Sequence, residues 1–277
     1  MCAMRLHDQF HRAATSSGFA DDEIRAFAAH LRFAIHLSRN PQGDPVGQRG
    51  GTPRHAVDTR LPFVASFDCA ALPEVDDLPL PADGTLLFFL DHEEAIEADS
   101  EEEAQSYARV VHVPAGAAVD ESADRGDALF ATVQAELPEW IALNEPELSD
   151  YQRHRAEAVP NRLRLCALVE KLWPKTGYSD LRLGGYSGHI GGLHGKNVYG
   201  TPETEMALDD LQSRFPDLRR HQLLADLEQE LQQVRREWVP LFQFRADMVH
   251  FGRFFARRDD LAAGRFENVR CFTEFTE

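Results

Sequence analysis

Apolar residues recur at helical spacing in three long segments of the chain. Residues 21–38, 161–173 and 217–237 each carry an apolar stripe with polar residues on the opposite face. A stripe of this period predicts an amphipathic helix in each segment. Shorter helices are expected at two further places, residues 128–135 and after Thr201-Pro202.

Short apolar runs bounded by glycine or proline predict the strands. Residues 61–68 alternate, with Phe63, Ala65 and Phe67 on one face, and Pro62 suits the start of a strand. Five further strands are expected, at residues 85–90, 108–114, 238–245, 252–257 and 267–275.

The strand signals occur twice in the same order. A glycine pair, Gly50-Gly51 or Gly184-Gly185, precedes a strand that carries proline. A single glycine followed by paired phenylalanines comes next, at Gly84 and at Gly252. Two related sheet units that share a core would produce this order. Chance similarity is the alternative, because apolar strands flanked by turn residues recur in many folds.

This repeat predicts how the chain is organised. We expect an α+β fold of mostly antiparallel sheets from two related halves, with helices packed on them, as the result of an internal duplication. The halves are expected at about residues 49–115 and 181–277. They would lie inside a single domain of residues 1–277, which begins with a helical segment at residues 20–40.

The charge of the chain excludes several classes of partner. The 46 acidic residues exceed the 29 basic ones, and the net charge of −17 repels nucleic-acid phosphates and anionic membranes. The longest strongly apolar run, residues 86–90, is too short to span a bilayer, and no signal-peptide pattern is present. The four cysteines are scattered, without a Cys-x-x-Cys pair. We expect a soluble bacterial protein of the cytoplasm, with neither nucleic-acid nor membrane partners.

Glycine is concentrated between residues 181 and 200, which hold seven of the chain's 18 glycines. Such a stretch indicates a functional loop or a tight chain crossing, because glycine lets a backbone approach other groups closely. We expect residues 183–195 to border a cleft at the junction of the halves, where arginine and histidine would attract an acidic ligand or partner segment. The candidate binding residues are Arg49, Gly50, Gly51, Arg182, Gly184, Gly185, Tyr186, His189 and His194.

Motifs for cofactors and for nucleophilic catalysis are absent from the sequence. Lys196 is followed by Asn197 rather than Ser or Thr, which excludes a P-loop, and the dinucleotide-binding glycine spacing does not occur. His189 and His194 are five residues apart, which matches neither helical nor zinc-finger ligand spacing. No Gly-x-Ser-x-Gly elbow is present. We therefore predict no cofactor and no metal.

Several short pieces keep a distinctive order along the chain. They are Gly50-Gly51 with Pro53, Leu61-Pro-Phe63, Asp83-Gly84-Thr-Leu-Leu-Phe-Phe89, Leu183-Gly-Gly-Tyr186, Trp238-Val-Pro-Leu-Phe242 and Phe251-Gly-Arg-Phe-Phe255. In this order they resemble the YwqG-like family of bacterial proteins, a domain of unknown function, over residues 49–275. The resemblance implies an α+β fold with internal duplication and supplies no catalytic residues. The chain departs from the family's pattern at Ser187, where a proline is usual.

Two functional classes stay open. The first is a non-catalytic binding protein, immunity-like or regulatory, whose acidic surface favours a protein partner of opposite charge. The alternative is a small-molecule-binding protein or an enzyme with its site at residues 183–195. The sequence favours binding because it shows no catalytic constellation. Arg49 and Arg182 also have a purely structural alternative, in which they pair with the protein's own acids.

Overall fold

A computed structural model of the protein describes residues 5–41, 43–143, 150–175, 179–187, 201–219, 224–246 and 250–275. Within these ranges the strands are β1 (Arg32–Ser38), β2 (Gly47–Arg49), β3 (Phe63–Asp68), β4 (Thr85–Leu90), β5 (Ala108–Val113), β6 (Asp127–Glu136), β7 (Leu181–Gly184), β8 (Trp238–Arg245), β9 (His250–Arg257) and β10 (Arg270–Phe275). The helices are α1 (Leu6–Ser16), α2 (Asp21–Ala28), α3 (His92–Glu97), α4 (Glu101–Ser106), α5 (Asp150–Glu157), α6 (Arg162–Leu172), α7 (Pro202–Arg214), α8 (Leu224–Glu237) and α9 (Arg258–Ala262).

The ten strands form one sheet in the order β10-β9-β8-β7-β1-β6-β2-β3-β4-β5. Each strand is antiparallel to its neighbours. At the centre, β1 and β6 pair from Arg32 opposite Glu136 to Ser38 opposite Phe130. The predicted α+β class and the mostly antiparallel sheet are therefore confirmed.

The sheet is curved, because strands from its two arms touch across the core. The ring of Phe88 on β4 lies 4.8 Å from that of Phe242 on β8 and 5.2 Å from that of Phe254 on β9. The ring of Phe67 on β3 also lies 5.1 Å from that of Phe242. All four rings are fully buried, and aromatic pairs at such distances stabilise a core beyond the area they bury. The concave face of the sheet therefore encloses the main core.

Helices α7 and α8 cover the opposite face of the sheet at β8 and β9. Leu211 on α7 and Leu231 on α8 are buried in one cluster with Phe255, whose side chain alternates with that of Phe254 along β9. The start of α7 follows the sequence prediction, since the Thr201 hydroxyl accepts a hydrogen bond from the Thr204 N–H at 3.3 Å.

The single helix predicted at residues 21–38 is wrong in its second half. Helix α2 ends at Ala28, and residues 32–38 form the central strand β1 instead. Phe33, Ile35 and Leu37 alternate along this strand and are buried, so the apolar pattern fits both periods. The strand is formed because β6 and β7 pair with both of its edges.

The short helix predicted at residues 128–135 is also wrong, because these residues belong to strand β6. Its backbone pairs with β1 on one side and with β2 on the other. Such pairing between distant segments overrides a weak local helix preference. The helix predicted at 161–173 is confirmed as α6, and the strand predictions at 61–68, 85–90, 108–114, 238–245, 252–257 and 267–275 are confirmed with small shifts of their ends.

Candidate functional site

Both glycine pairs lie at the end of a strand and adopt left-handed backbone conformations. Gly50 and Gly51, directly after β2, have φ of 65° and 72°. Gly184, the last residue of β7, and Gly185 have φ of 75° and 76°. A Cβ atom on Gly185 would lie 2.2 Å from Oε2 of Glu136. Glycine is required there both for the backbone conformation and for the approach of this carboxylate.

The Glu136 carboxylate, at the end of β6, is held by three donors. Oε1 lies 2.9 Å from Nε2 of His36 and accepts a hydrogen bond from Nη1 of Arg182 at 3.4 Å, and Oε2 accepts the backbone N–H of Tyr186 at 2.7 Å. Burial raises the pKa of Glu136, but the His36 hydrogen bond, the Arg182 charge and the Tyr186 N–H together hold this pKa below its ordinary value. The carboxylate is therefore ionised, and these three contacts fix the turn after β7.

Arg182 and Gln243 hold the same turn from the strand side. Nη2 of Arg182 donates to the Tyr186 carbonyl at 2.9 Å, and Nε2 of Gln243 donates to the carbonyls of Gly184 at 3.3 Å and Tyr186 at 3.2 Å. The Arg182 guanidinium thus pairs with Glu136 and with a backbone carbonyl of its own turn. These contacts give Arg182 a positioning role rather than leaving it free for a ligand.

Arg49 lies on the other face of the sheet. It shares a face with Ala65, its register partner in the buried core, and it donates to the carbonyls of Arg245 at 2.5 Å and Ala246 at 3.2 Å. Arg182 shares a face with Gln243, whose side chain alternates with the core residue Phe242. The two arginines therefore approach β8 from opposite faces.

Of the predicted site residues, the structure brings Arg182, Gly184, Gly185 and Tyr186 together around Glu136. It places Arg49, Gly50 and Gly51 at a separate turn after β2. His189 and His194 lie outside the described residues.

The ring of Tyr186 lies beside Arg32, Arg155 and Arg235, and Arg258 lies near Arg32. We call these four residues the arginine cluster. The Arg32 guanidinium lies over the Tyr186 ring, 4.4 Å from its centroid, and donates to the carbonyls of Gly185 at 3.3 Å and Arg235 at 3.1 Å. Arg32, Arg155 and Arg235 are all close enough to lower the pKa of the Tyr186 hydroxyl, although burial is the larger effect and raises that pKa overall.

His30 closes the cluster on the side of α5. Its carbonyl accepts the Tyr186 hydroxyl at 3.0 Å, and its Nε2 lies 3.5 Å from Nη2 of Arg155. Burial, followed by the charges of Arg155 and Arg235, lowers the pKa of His30 to about 4. At neutral pH His30 is therefore uncharged and accepts a hydrogen bond from the cluster.

Three members of the arginine cluster have no carboxylate partner in the part of the chain that the structure describes. Arg32, Arg235 and Arg258 form no ion pair with any residue that the structure describes; Arg32 and Arg258 donate to backbone carbonyls instead. Nε of Arg235 is buried without a hydrogen-bond partner in the described ranges. Among the described residues, a protein with a net charge of −17 thus places three arginines without an ion pair close to one another.

Asp77 is the carboxylate that faces this cluster. It lies close enough to Arg258 and Arg32 for their charges to lower its pKa, and its Oδ2 lies 3.3 Å from Nε2 of His7. The His7 contact is the largest effect that lowers the Asp77 pKa, against burial, which raises it. Asp77 therefore contacts His7 on α1 and also lies close to the charges of the arginine cluster.

Sequence reasoning missed the arginine cluster and the Glu136 network. Arg32 and Arg235 are 203 residues apart, and Glu136 is 50 residues from the Tyr186 N–H that it accepts. Nothing local marks these residues, because their proximity is created by the order of the strands. The one usable signal is the Gly-Gly-Tyr segment at residues 184–186, whose three residues are among those predicted from the sequence.

Two wider features of the described ranges bear on the site. No three or more His, Cys, Asp or Glu side chains are grouped there as metal ligands would be. None of the helices in the same ranges has the length and apolar character needed to cross a bilayer.

Comparison with known proteins identifies a family. A family model described as a domain of unknown function, DUF1963, matches residues 43–274. No curated protein matches the chain. The matched segment includes Glu136, Tyr186 and Arg235, whereas His30 and Arg32 precede it.

Proposed function

Because the chain belongs to the DUF1963 family, whose description states no activity, we propose its function from the structure. The protein is a non-catalytic binding protein that holds an anionic group of its partner at the arginine cluster around Tyr186. The family description does not mention the YwqG-like group, so we propose the closer relationship to that group. We also propose that the protein is located in a bacterial cytoplasm.

The observation that supports this function is the absence of carboxylate partners for Arg32, Arg235 and Arg258 within the described ranges. Arginines near a protein surface usually find carboxylates, above all in a chain with 46 acidic residues. The planar guanidinium fork matches carboxylate and phosphate oxygens, and partly desolvated arginines bind them strongly. A local reversal of charge also steers an anionic partner to this face.

The same geometry supports binding rather than catalysis. Glu136 and His36 would be the natural acid–base pair next to the Gly-Gly-Tyr turn, yet the Glu136 carboxylate already accepts hydrogen bonds from Arg182 and from a backbone N–H. These contacts hold its pKa below the ordinary value, which makes Glu136 a weak general base. These residues hold the turn in place, and the arginines beside it provide the contact.

Substitution of Arg235 tests the proposal, because its side chain donates no hydrogen bond to a described residue. Isothermal titration of wild type with inorganic phosphate and with a hexaglutamate peptide should show binding of at least one anion. We expect Arg235→Gln to weaken it about tenfold, the effect of one charge-assisted contact. Arg236→Gln, on the exposed neighbouring position of α8, is the matched control and should leave affinity unchanged.

The two probes separate the possible sources of the anionic group. Tighter binding of the peptide than of phosphate indicates an acidic protein segment, and the reverse order indicates a small phosphorylated or inorganic ligand. Failure of wild type to bind either probe, or equal weakening by both substitutions, would contradict the proposal.

We further propose that residues 49–115 and 181–277 arose by duplication. In support, β2-β3-β4-β5 and β7-β8-β9-β10 occupy mirrored places in the strand order, with a glycine pair directly after β2 and another at the end of β7. The strand register shifts between Phe63 and Ala65 in the first set and between Pro240 and Phe242 in the second. Superposition of the two sets should align these two irregularities, and a misalignment by one residue would contradict a common origin.

A further inference from the structure

A separate groove lies at the seam between the two edges of the curved sheet. It encloses about 500 Å³ between the end of α4, strand β5 and the segment that leads into β10. Its lining residues are Gln105, Ala108, Arg109, Val110, Val111, His112, Phe254, Gly264, Phe266, Glu267 and Val269. We call it the edge groove. It involves none of the residues of the arginine cluster.

Strand backbone is exposed on this groove. β5 and β10 end the strand order, so among the described strands each pairs with one neighbour only, β4 or β9. Such edges carry backbone N–H and C=O groups that point away from the sheet and are templates for an added strand. The groove runs along β5 over residues 108–112, close to the whole length of that strand.

One side chain already imitates a strand at this seam. The amide of Gln105 donates from Nε2 to the Cys271 carbonyl at 2.8 Å and accepts the Cys271 N–H on Oε1 at 2.6 Å. This is the same pair of hydrogen bonds that a neighbouring strand residue exchanges with its partner. The geometry of the seam therefore suits strand-type hydrogen bonding, and Gln105 satisfies a single residue of β10.

The groove combines an apolar floor with an acidic rim. Phe254, Phe266 and Val110 are buried beneath it. Glu102 is exposed on α4 one turn before Gln105, and Glu267 is exposed on the opposite wall. Residues 91–103, which include α3 and the first half of α4, hold eight carboxylates in thirteen positions. Arg109 is the cation on the lining, and it donates to the Asp58 carbonyl at 2.8 Å.

We propose that the edge groove binds an extended, basic segment of a partner protein, which adds as a strand to the free edge of β5. Main-chain hydrogen bonds to β5 provide affinity, apolar side chains at alternate positions fill the floor, and lysine or arginine at the other positions meets the acidic rim. The six residues of β5 set the length of the segment at about six residues, or roughly 20 Å of extended chain. This site is independent of the anion site proposed above.

Three peptides test the proposal on the full chain. A fluorescein-labelled octapeptide that alternates lysine and valine should bind in an anisotropy titration. The same peptide with N-methyl groups at alternate backbone amides loses the strand hydrogen bonds, and a glutamate–valine peptide reverses the charge. Each should bind at least about tenfold more weakly than the parent peptide.

A matched pair of variants locates the binding. Glu102→Lys with Glu267→Lys should weaken binding of the lysine–valine peptide about tenfold, because Glu267 lines the groove and Glu102 lies one helical turn from the lining residue Gln105. The same charge change at exposed sites on α5 and α6, Glu157→Lys with Glu170→Lys, should not weaken it beyond the general charge effect, about twofold. Amide hydrogen exchange in β5 should slow when the peptide is bound.

Equal affinity for the N-methylated peptide would overturn strand addition. Equal weakening by the two double variants would place the peptide elsewhere on the acidic surface and overturn the site. Absence of binding of the parent peptide to the folded wild-type chain would overturn the proposal as a whole. Circular dichroism checks that the wild type and both double variants are folded.

Discussion

Arg32 on β1 lies over the ring of Tyr186, 4.4 Å from its centroid, and its guanidinium donates to the carbonyl of Gly185 in the same turn. The tyrosine hydroxyl is in turn fixed by the carbonyl of His30. A cation over an aromatic ring contributes roughly 0.5–2 kcal/mol, depending on its exposure to water. The Gly-Gly-Tyr turn is therefore held from both sides, and the arginine cluster is preorganised around it.

Asp77 is the internal competitor of any anion that binds at the cluster. Its carboxylate lowers the local positive potential, so Asp77→Asn should tighten binding of the preferred anion several-fold, about 1 kcal/mol. Asp76→Asn is the control, because Asp76 accepts the backbone N–H of His7 rather than facing Arg258. Isothermal titration of the two variants gives the answer, and unchanged or weaker binding by Asp77→Asn would show that Asp77 does not oppose the ligand.

Gly185 should be the glycine of this turn least tolerant of substitution. Gly185→Ala brings a Cβ within 2.2 Å of the Glu136 carboxylate, at a backbone φ of 76°. We expect a loss of about 2–4 kcal/mol in the free energy of unfolding, from the strained backbone and the displaced hydrogen bonds.

The control for this change is Gly18→Ala. Gly18 has a φ of 83°, and a Cβ there would meet no atom within 4 Å. The backbone strain alone costs about 1–2 kcal/mol. Urea unfolding of both variants separates the two effects. Equal losses would mean that Glu136 moves aside without cost.

Features that depend on residues close together in the sequence can be predicted from it, whereas features that depend on contacts between distant segments cannot. Strands β3, β4, β8 and β9 are marked locally by alternation, proline and glycine, and the sequence finds them. β1 and β6 were predicted as helices, since their apolar residues fit both periods and their state is decided by pairing at the centre of the sheet.

The candidate site divides in the same way. The Gly-Gly-Tyr turn at residues 184–186 can be recognised in the sequence, because a glycine pair costs conformational entropy on folding and is favoured mainly where a turn requires it. Arg32, Arg155, Arg235 and Arg258 are unremarkable locally and meet only through β1, α5, α8 and α9. The sequence suggests that Arg49 and Arg182 act together. In the sheet, however, Arg49 on β2 pairs with Ala65 and Arg182 on β7 pairs with Gln243, and these two partners lie on opposite faces.

Stability should fall on mild acidification, with His30 as a main cause. Its pKa is about 4 in the folded protein, against 6.5 for the free side chain. Between these values the unfolded chain binds a proton that the folded chain does not, so the free energy of unfolding decreases as pH falls from about 6.5 toward 4. At about 1.4 kcal/mol per pH unit, the loss is on the order of 3 kcal/mol.

His30→Gln checks the assignment. Glutamine keeps an acceptor for Arg155 but cannot take up the proton. Urea unfolding at pH 7 and at pH 4.5 should show a much smaller difference for this variant than for wild type. His7 acts in the opposite direction, because its hydrogen bond to Asp77 raises its pKa. Protonated His7 therefore stabilises the fold at pH values below the ordinary histidine pKa. A pH dependence unchanged by His30→Gln would exclude His30 as the cause.

Gln105 should act as a latch on the seam. Gln105→Ala leaves the N–H and C=O of Cys271 without their partner, and a lost buried hydrogen-bond pair costs about 1–3 kcal/mol. Gln233→Ala, at an exposed position of α8, is the control and should change stability by less than about 0.5 kcal/mol.

The thiol of Cys271 reports on the same latch. Burial raises its pKa well above the ordinary value, so the thiolate that reacts with labelling reagents is almost absent while the seam is closed. If Gln105 keeps the last strand in place, Gln105→Ala should raise the labelling rate of Cys271 about tenfold through local opening. Labelling of Cys69, which is buried by β3 and β4 rather than by the seam, should be unaffected. Mass spectrometry distinguishes the two sites, and parallel acceleration at both would indicate global destabilisation instead of a latch.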